Sequence, residues 1–194
     1  MSKRFYLLAL TVFLAACPAQ PPKISRQSVV RPPRRPIEVP TEAYYMGTAA
    51  ADAVQKIRER VGEPFRVLEI DIDERGVRVK AQDPKNRENV DEYRYRNGKI
   101  DDPIPVRLFG VSDPKTLEAN LFNPADVDLA QVPALVKQAR EKINIEGGQL
   151  LGVTIKRRLP FERAVQIDVS FNGTRKSAYL RADRHGKNAQ IRVF

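Results

Sequence analysis

The side chains that could do chemistry are few. One cysteine, Cys17, and one histidine, His185, are the only residues of their kinds in 194. A thiol nucleophile needs a thiolate and an activating base, and these two lie 168 positions apart. Acids cluster in "DIDERG" (71–76) and "NVDE" (89–92). The first lacks the spacing and closing glutamate of a calcium loop, and a hairpin turn of solvated acids explains it. No Cys/His set suits zinc, and no Gly-rich phosphate loop, GxSxG elbow or HExxH is present. The sequence therefore predicts no catalytic residues, no metal and no cofactor. The remaining constellation is basic: Arg66, Arg78, Lys80, Arg94 and Arg96.

The surroundings of Cys17 decide its role. Lys3 and Arg4 precede the apolar run Phe5–Leu14, and small residues follow. A basic start, about ten apolar residues and a small-residue end describe a secretory signal peptide. The run is too short for a membrane span, which takes about 20 residues. Leu14-Ala15-Ala16-Cys17 resembles the lipobox of bacterial lipoproteins at all four positions. The resemblance implies cleavage after Ala16, a diacylglyceryl thioether on Cys17 and usually an acyl group on its new amino terminus. Two or three chains anchor firmly where one binds reversibly. A lipidated sulfur is no nucleophile, and a lone cysteine forms no intrachain disulfide. In the sorting pattern of such lipoproteins, Asp after the cysteine favours the inner membrane. Pro18 stands there, which implies the outer membrane, facing the periplasm.

The formal charge is +10, and losing Lys3 and Arg4 with the leader leaves about +8. In an exported protein this excess does not point to nucleic acid. It suggests lipopolysaccharide, peptidoglycan, phospholipid headgroups or an acidic envelope protein, or only a well-solvated surface. Residues 17–40 hold seven of the fifteen prolines and five Lys/Arg against one acid. They make a tether of extended stretches, reaching about 70 Å at about 3.1 Å per residue.

Beyond the tether, the elements that must position the basic residues repeat. Val54-Gln-Lys-Ile-Arg-Glu-Arg-Val61 matches Val136-Lys-Gln-Ala-Arg-Glu-Lys-Ile143, each with one helical apolar stripe. After each helix comes alternation. Leu68, Ile70 and Ile72 correspond to Leu151, Val153 and Ile155, then Val77, Val79 and Ala81 to Val165, Ile167 and Val169. Tyr93 and Tyr95 mark a third strand in one half, Tyr179 in the other. "RNGK" (96–99) and "RHGK" (184–187) then turn into fourth apolar segments, Ile104–Phe109 and Ile191–Phe194. Asn-Gly is a strong hairpin signal, and His185, in the place of Asn97, reads as a residue suited to positive φ.

The expected fold class is α+β, with two tandem helix-plus-antiparallel-sheet repeats at 41–110 and 133–194. A crossover at 111–132 carries a short helix opened by Asp113-Pro114. The halves form one continuous sheet or pack side by side. In either case Arg66, Arg78, Lys80, Arg94 and Arg96 fall on polar strand phases and share a face when their strands are neighbours. That face is the candidate site for an anionic partner.

Tandem units of this kind also look like PepSY-type and beta-lactamase-inhibitor-type modules. "DEYRYRNGKI" (91–100) is similar to the strand-turn ending of a PepSY unit, without the acid that usually precedes the turn. The expected function is a non-enzymatic, membrane-anchored envelope lipoprotein that binds or scaffolds an envelope protein, lipopolysaccharide or peptidoglycan. The PepSY resemblance implies an alternative, an inhibitor or regulator of a secreted peptidase or hydrolase. An enzyme using carboxylates or tyrosines is a third reading.

Overall fold

A computed structural model of the chain describes residues 43–108 and 113–194. The signal peptide, Ala16, Cys17 and the tether lie outside the described residues, as do residues 109–112, the end of the first repeat with Phe109 and the start of the crossover. After a 3₁₀ turn, Ala43–Tyr45, comes helix α1, Ala49–Val61. Its stripe Ala50, Ala53, Val54 and Ile57 is buried, while Gln55, Lys56 and Glu59 face water. Apolar residues at this spacing bury one side of a helix. Helix α3, Val132–Lys142, buries Val132, Leu135, Val136 and Ala139, with Pro133 in its first turn. Between them lies the short α2, Pro114–Asn120, capped by the Asp113 carboxylate, which accepts from the N–H groups of Lys115 and Thr116.

Nine antiparallel strands make one sheet: β1 Val67–Asp73, β2 Gly76–Gln82, β3 Val90–Arg96, β4 Lys99–Ile100, β5 Ile104–Pro105, β6 Gln149–Arg158, β7 Glu162–Asn172, β8 Ser177–Asp183 and β9 Gln190–Val193. The order is β4-β3-β2-β1-β6-β7-β8-β9, with β5 also on β3. The fold class is thus α+β, and the sheet is continuous. Its seam pairs β1 with β6, Ile70 opposite Ile155 and Ile72 opposite Val153.

Helices α1 and α3 cover one face. Ile57 and Ala139 pack with Ile70, Ile72, Val77, Val79, Ile155, Ile167, Val169 and Leu180 in a single core shared by both halves. The other face is polar, as expected of an antiparallel sheet with one covered side. Among the described residues, only one end of that face is roofed. There Leu117 and Leu121 of α2 bury against Val90, with Leu68, Val106 and Leu108 around them.

Several strand expectations are corrected. Leu68 does not share a face with Ile70 and Ile72, because the register shifts between Val67 and Glu69. A bulge inserts one residue and reverses the alternation beyond it. Leu151 is displaced in the same way by a shift between Leu150 and Gly152, and it is exposed. Tyr179 lies on the polar face, opposite Ser170 and Arg192, whereas Tyr93 and Tyr95 sit opposite Val79 and Val77 on the covered face. Ile191, Val193 and Phe194 form an apolar strand end, but no helix among the described residues shields them.

The two edges of the sheet differ. Beyond β3 the pairing breaks into the two-residue strands β4 and β5, with Pro103 and Pro105 in the connection. Beyond β8, β9 is exposed throughout. Phe194 exchanges backbone hydrogen bonds with Ser177. By alternation the amides and carbonyls of Ile191 and Val193 then point outward.

Candidate functional site: the charged face of the sheet

The period of two puts Glu92, Arg94 and Arg96 of β3, Arg78 and Lys80 of β2, and Glu69, Asp71 and Asp73 of β1 on the open face. The same face continues through Thr154 and Lys156 of β6, Asp168 of β7 and Arg181 of β8. Four of the five basic residues expected to share a face do so. Arg66 precedes β1 at the roofed end, where it pairs with Glu118 of α2.

Each of the five meets an acid, from a neighbouring strand, its own strand, a loop or α2. Arg78 Nη2 lies 3.0 Å from Asp73 and Arg96 Nε 2.8 Å from Asp101, while Arg94 pairs with Glu92 and Lys80 with Glu69. The face is therefore a compensated charge lattice more than a uniform basic field. Reading one strand at a time shows the arginines; Asp73, Glu69, Asp101 and Glu118 answer them from other elements, and Glu92 from within its own strand.

Two carboxylates anchor the lattice. Glu69 accepts from Lys80 on one oxygen and Lys156 on the other, joining β2, β1 and β6. Burial pushes its carboxyl up, but those hydrogen bonds outweigh burial and hold its pKa down at about 2. Burial moves neighbouring Asp71 the opposite way, above the ordinary aspartate value, and the Glu69 charge adds to it. The Thr154 hydroxyl donates to Asp71 across the seam at 2.8 Å. On the second half, Asp168 is 4% exposed and accepts from Arg181 at 2.7 and 2.9 Å and from Arg158. Arg181 also lies 4.6 Å over the Tyr179 ring. Neither Glu69 nor Asp168 was singled out by spacing, although the acid in "VLEIDID" sits on the polar phase of its strand.

Nearly every charged register pair on this face joins opposite signs. Glu69 faces Lys80 and Lys156, Asp71 faces Arg78, Lys80 faces Glu92, and Asp168 faces Arg181. Two pairs break the rule, and both lie at one corner: Arg78 opposite Arg94, and Arg96 opposite Lys99.

The chain shares its fold with a protein of Clostridium difficile 630. That protein's crystal structure is described as that of a "putative lipoprotein"; the two match with a TM-score of 0.50 at 8% identity, over 75% of this chain and 92% of that one. At this identity the likeness concerns the fold alone. No protein-family model matches the chain, and no curated protein matches it.

The other sequence candidates separate. Asp71 and Asp73 lie on the open face, while Glu74 is in the turn. Asp91 and Glu92 fall on opposite faces, since Ala81 and Lys80 are their partners. No group of three or more metal-ligating side chains occurs among the described residues, and among them no helix is long and apolar enough to cross a membrane. His185 is exposed in a turn, as expected, but its backbone differs from that of Asn97. Asn97 and Gly98 have φ of 51° and 77°; in the second turn the positive angles fall on Gly186 and Asn188. The reason is length. Residues 97–98 alone join β3 to β4, whereas 184–189 join β8 to β9 and wrap around Asp183. That carboxylate accepts from the N–H groups of His185 and Lys187 and the side-chain amide of Asn188.

Proposed function

We propose that this chain is a lipid-anchored protein of a bacterial cell envelope that works by binding, presenting the open face of its sheet to an envelope partner. The lipobox Leu14-Ala15-Ala16-Cys17 behind a basic and then apolar leader carries the anchoring. The C. difficile fold neighbour, described as a "putative lipoprotein", supports it. Pro18 places the anchor in the outer membrane, and the Pro-rich tether carries the domain away from the bilayer into the periplasm. The two halves derive from one duplicated unit, supported by the paired helix motifs and by a strand order that mirrors itself about the β1–β6 seam.

The open face favours binding over catalysis because its charges are already committed to each other. Both Glu69 oxygens hold lysines, and Asp168 holds two arginines. A partner is recognised by matching this lattice, which gives specificity more than bulk attraction.

Two experiments test the two parts. Cys17→Ser should move the protein from the membrane to the soluble fraction and abolish lipid labelling; continued membrane fractionation would remove the anchor. In-cell photo-crosslinking should capture a partner from Arg96 and Arg192 on the open face and none from Gln55 or Glu141 on the helix side. The reverse pattern would move the binding surface.

A further inference from the structure

The corner where the charge rule fails is also a concavity. Asp73, Arg75, Arg78, Arg94 and Arg96, with Gly76, line a cavity of about 260 Å³ at the β1–β2 turn. Arg78 and Arg94 are register partners. The Arg94 carbonyl accepts from Asp101 on the far side of β3, away from β2. The Arg78–Arg94 pair is therefore a non-hydrogen-bonded one, the kind whose side chains stand closer. Like charges directly opposite destabilise a sheet, and the adjoining Arg96–Lys99 pair repeats the fault.

The existing acids do not use up these donors. Arg94 and Arg96 reach their carboxylates through Nε, leaving their terminal nitrogens for another acceptor, and Arg78 reaches Asp73 through one terminal nitrogen. Arg78 Nε is buried and has no hydrogen-bond partner among the described residues. Four guanidinium groups stand against three carboxylates in contact with them, Asp73, Glu92 and Asp101, with Asp71 the register partner of Arg78.

We propose that this corner is a binding site for a phosphate group, held between Arg78 and Arg94 and closed by Arg75 and Arg96. A planar carboxylate offers two oxygens, enough for one fork. A tetrahedral phosphate offers oxygens in several directions and serves forks arriving from two strands and a turn. The cavity is smaller than the roughly 300 to 1,000 Å³ of pockets for drug-sized ligands, so it suits a head group. The bound anion relieves the like-charge pairs that the sheet otherwise tolerates. The site deepens the binding reading of the same face and rests on it.

The test uses the full chain in non-ionic detergent and phosphate-free buffer, titrated with inorganic phosphate or dihexanoyl phosphatidylglycerol and followed by calorimetry. Saturable binding is expected. Arg78→Gln with Arg94→Gln should weaken it about a hundredfold, because each charge-assisted hydrogen bond lost is worth about tenfold or more. Lys137→Gln with Lys142→Gln removes the same charge from α3, beyond the other face, and should leave affinity nearly unchanged. Tighter binding of the lipid assigns a membrane or lipid source, and tighter binding of phosphate a soluble one; either supports the site. Absence of saturable binding to both probes, or a double variant binding like the wild type, overturns it. Arg75→Gln, in an exposed turn, gives a weaker but readable loss if the double variant does not fold. Membrane release by Cys17→Ser is independent of this titration, so the two readings fail separately.

Discussion

Glu69 and Lys156 face each other across the seam where β1 pairs with β6, 87 residues apart in the chain, and Lys80 shares the same carboxylate from β2. One acid thereby ties the two halves of the sheet together on its open face. Glu69→Gln leaves two part-buried ammonium groups without their counter-charge. Breaking a fully buried pair costs about 3 to 5 kcal/mol; because both lysines are about a third exposed, about 2 kcal/mol is expected at pH 7. The pH dependence has a definite sign. The carboxyl is held at about 2, so its stabilisation is complete above the unfolded carboxylate range near pH 4.3. It is lost as pH falls through about 2. Urea unfolding at pH 7 and at low pH should show a smaller acid loss in the variant than in the wild type.

Asp71→Asn should act in the opposite direction. The raised carboxyl means that its ionised form is disfavoured by the fold at neutral pH. An amide oxygen still accepts from Thr154 and carries no charge toward Glu69. A gain of up to about 1 kcal/mol at pH 7 is expected, on the scale of relieving one unfavourable charge. The gain should fade as pH falls below the ordinary aspartate range, where the wild-type carboxyl is protonated. A loss at pH 7 in denaturant unfolding would refute this assignment.

Asp168→Asn separates the two arginines of the second half from a nearly buried acid. Arg158 and Arg181 keep part of their surface in water, so about 2 kcal/mol is expected, less than for a fully buried pair. Arg181→Lys should cost about 1 kcal/mol by replacing a two-pronged contact with a point charge. A negligible loss for Arg181→Lys in denaturant unfolding would show that the fork geometry is unimportant.

Gly76→Ala probes the backbone beneath the arginine corner. Gly76 has φ of 149°, and a Cβ there would lie 2.2 Å from the Tyr95 carbonyl oxygen. Strain and clash together should cost about 3 kcal/mol. The variant should also weaken phosphate binding, because β2 must move away from β3 beside Arg96, two residues from the Arg78–Arg94 pair. A thermal melt coinciding with the wild type would contradict the close approach.

The elements were legible because they depend on local pattern. The stripe through Val54 and Ile57, the Val77–Val79–Ala81 alternation and the Asp113-Pro114 start each contain their own cause. The bulges at Leu68 and Leu151 were not legible, since one inserted residue leaves an apolar sequence looking regular. The seam was hidden for another reason: no local signal says that β1 pairs with a strand some 80 residues away. The site was half visible. Arg78, Lys80, Arg94 and Arg96 stood out as bases on polar phases, but Glu69 and Asp73, which neutralise Lys80 and Arg78, come from the register. The register also brings Arg78 against Arg94.

The unequal edges of the sheet limit how copies of this chain can join. Extended backbone can add to β9, whose outward amides and carbonyls are available. The opposite margin, cut into two-residue strands around Pro103 and Pro105, offers no comparable template. The sheet is thus monovalent for strand addition. Two chains meeting β9 to β9 consume the longer of the two edges that the described residues present, and the shorter margin offers no comparable template for continuing into a fibre.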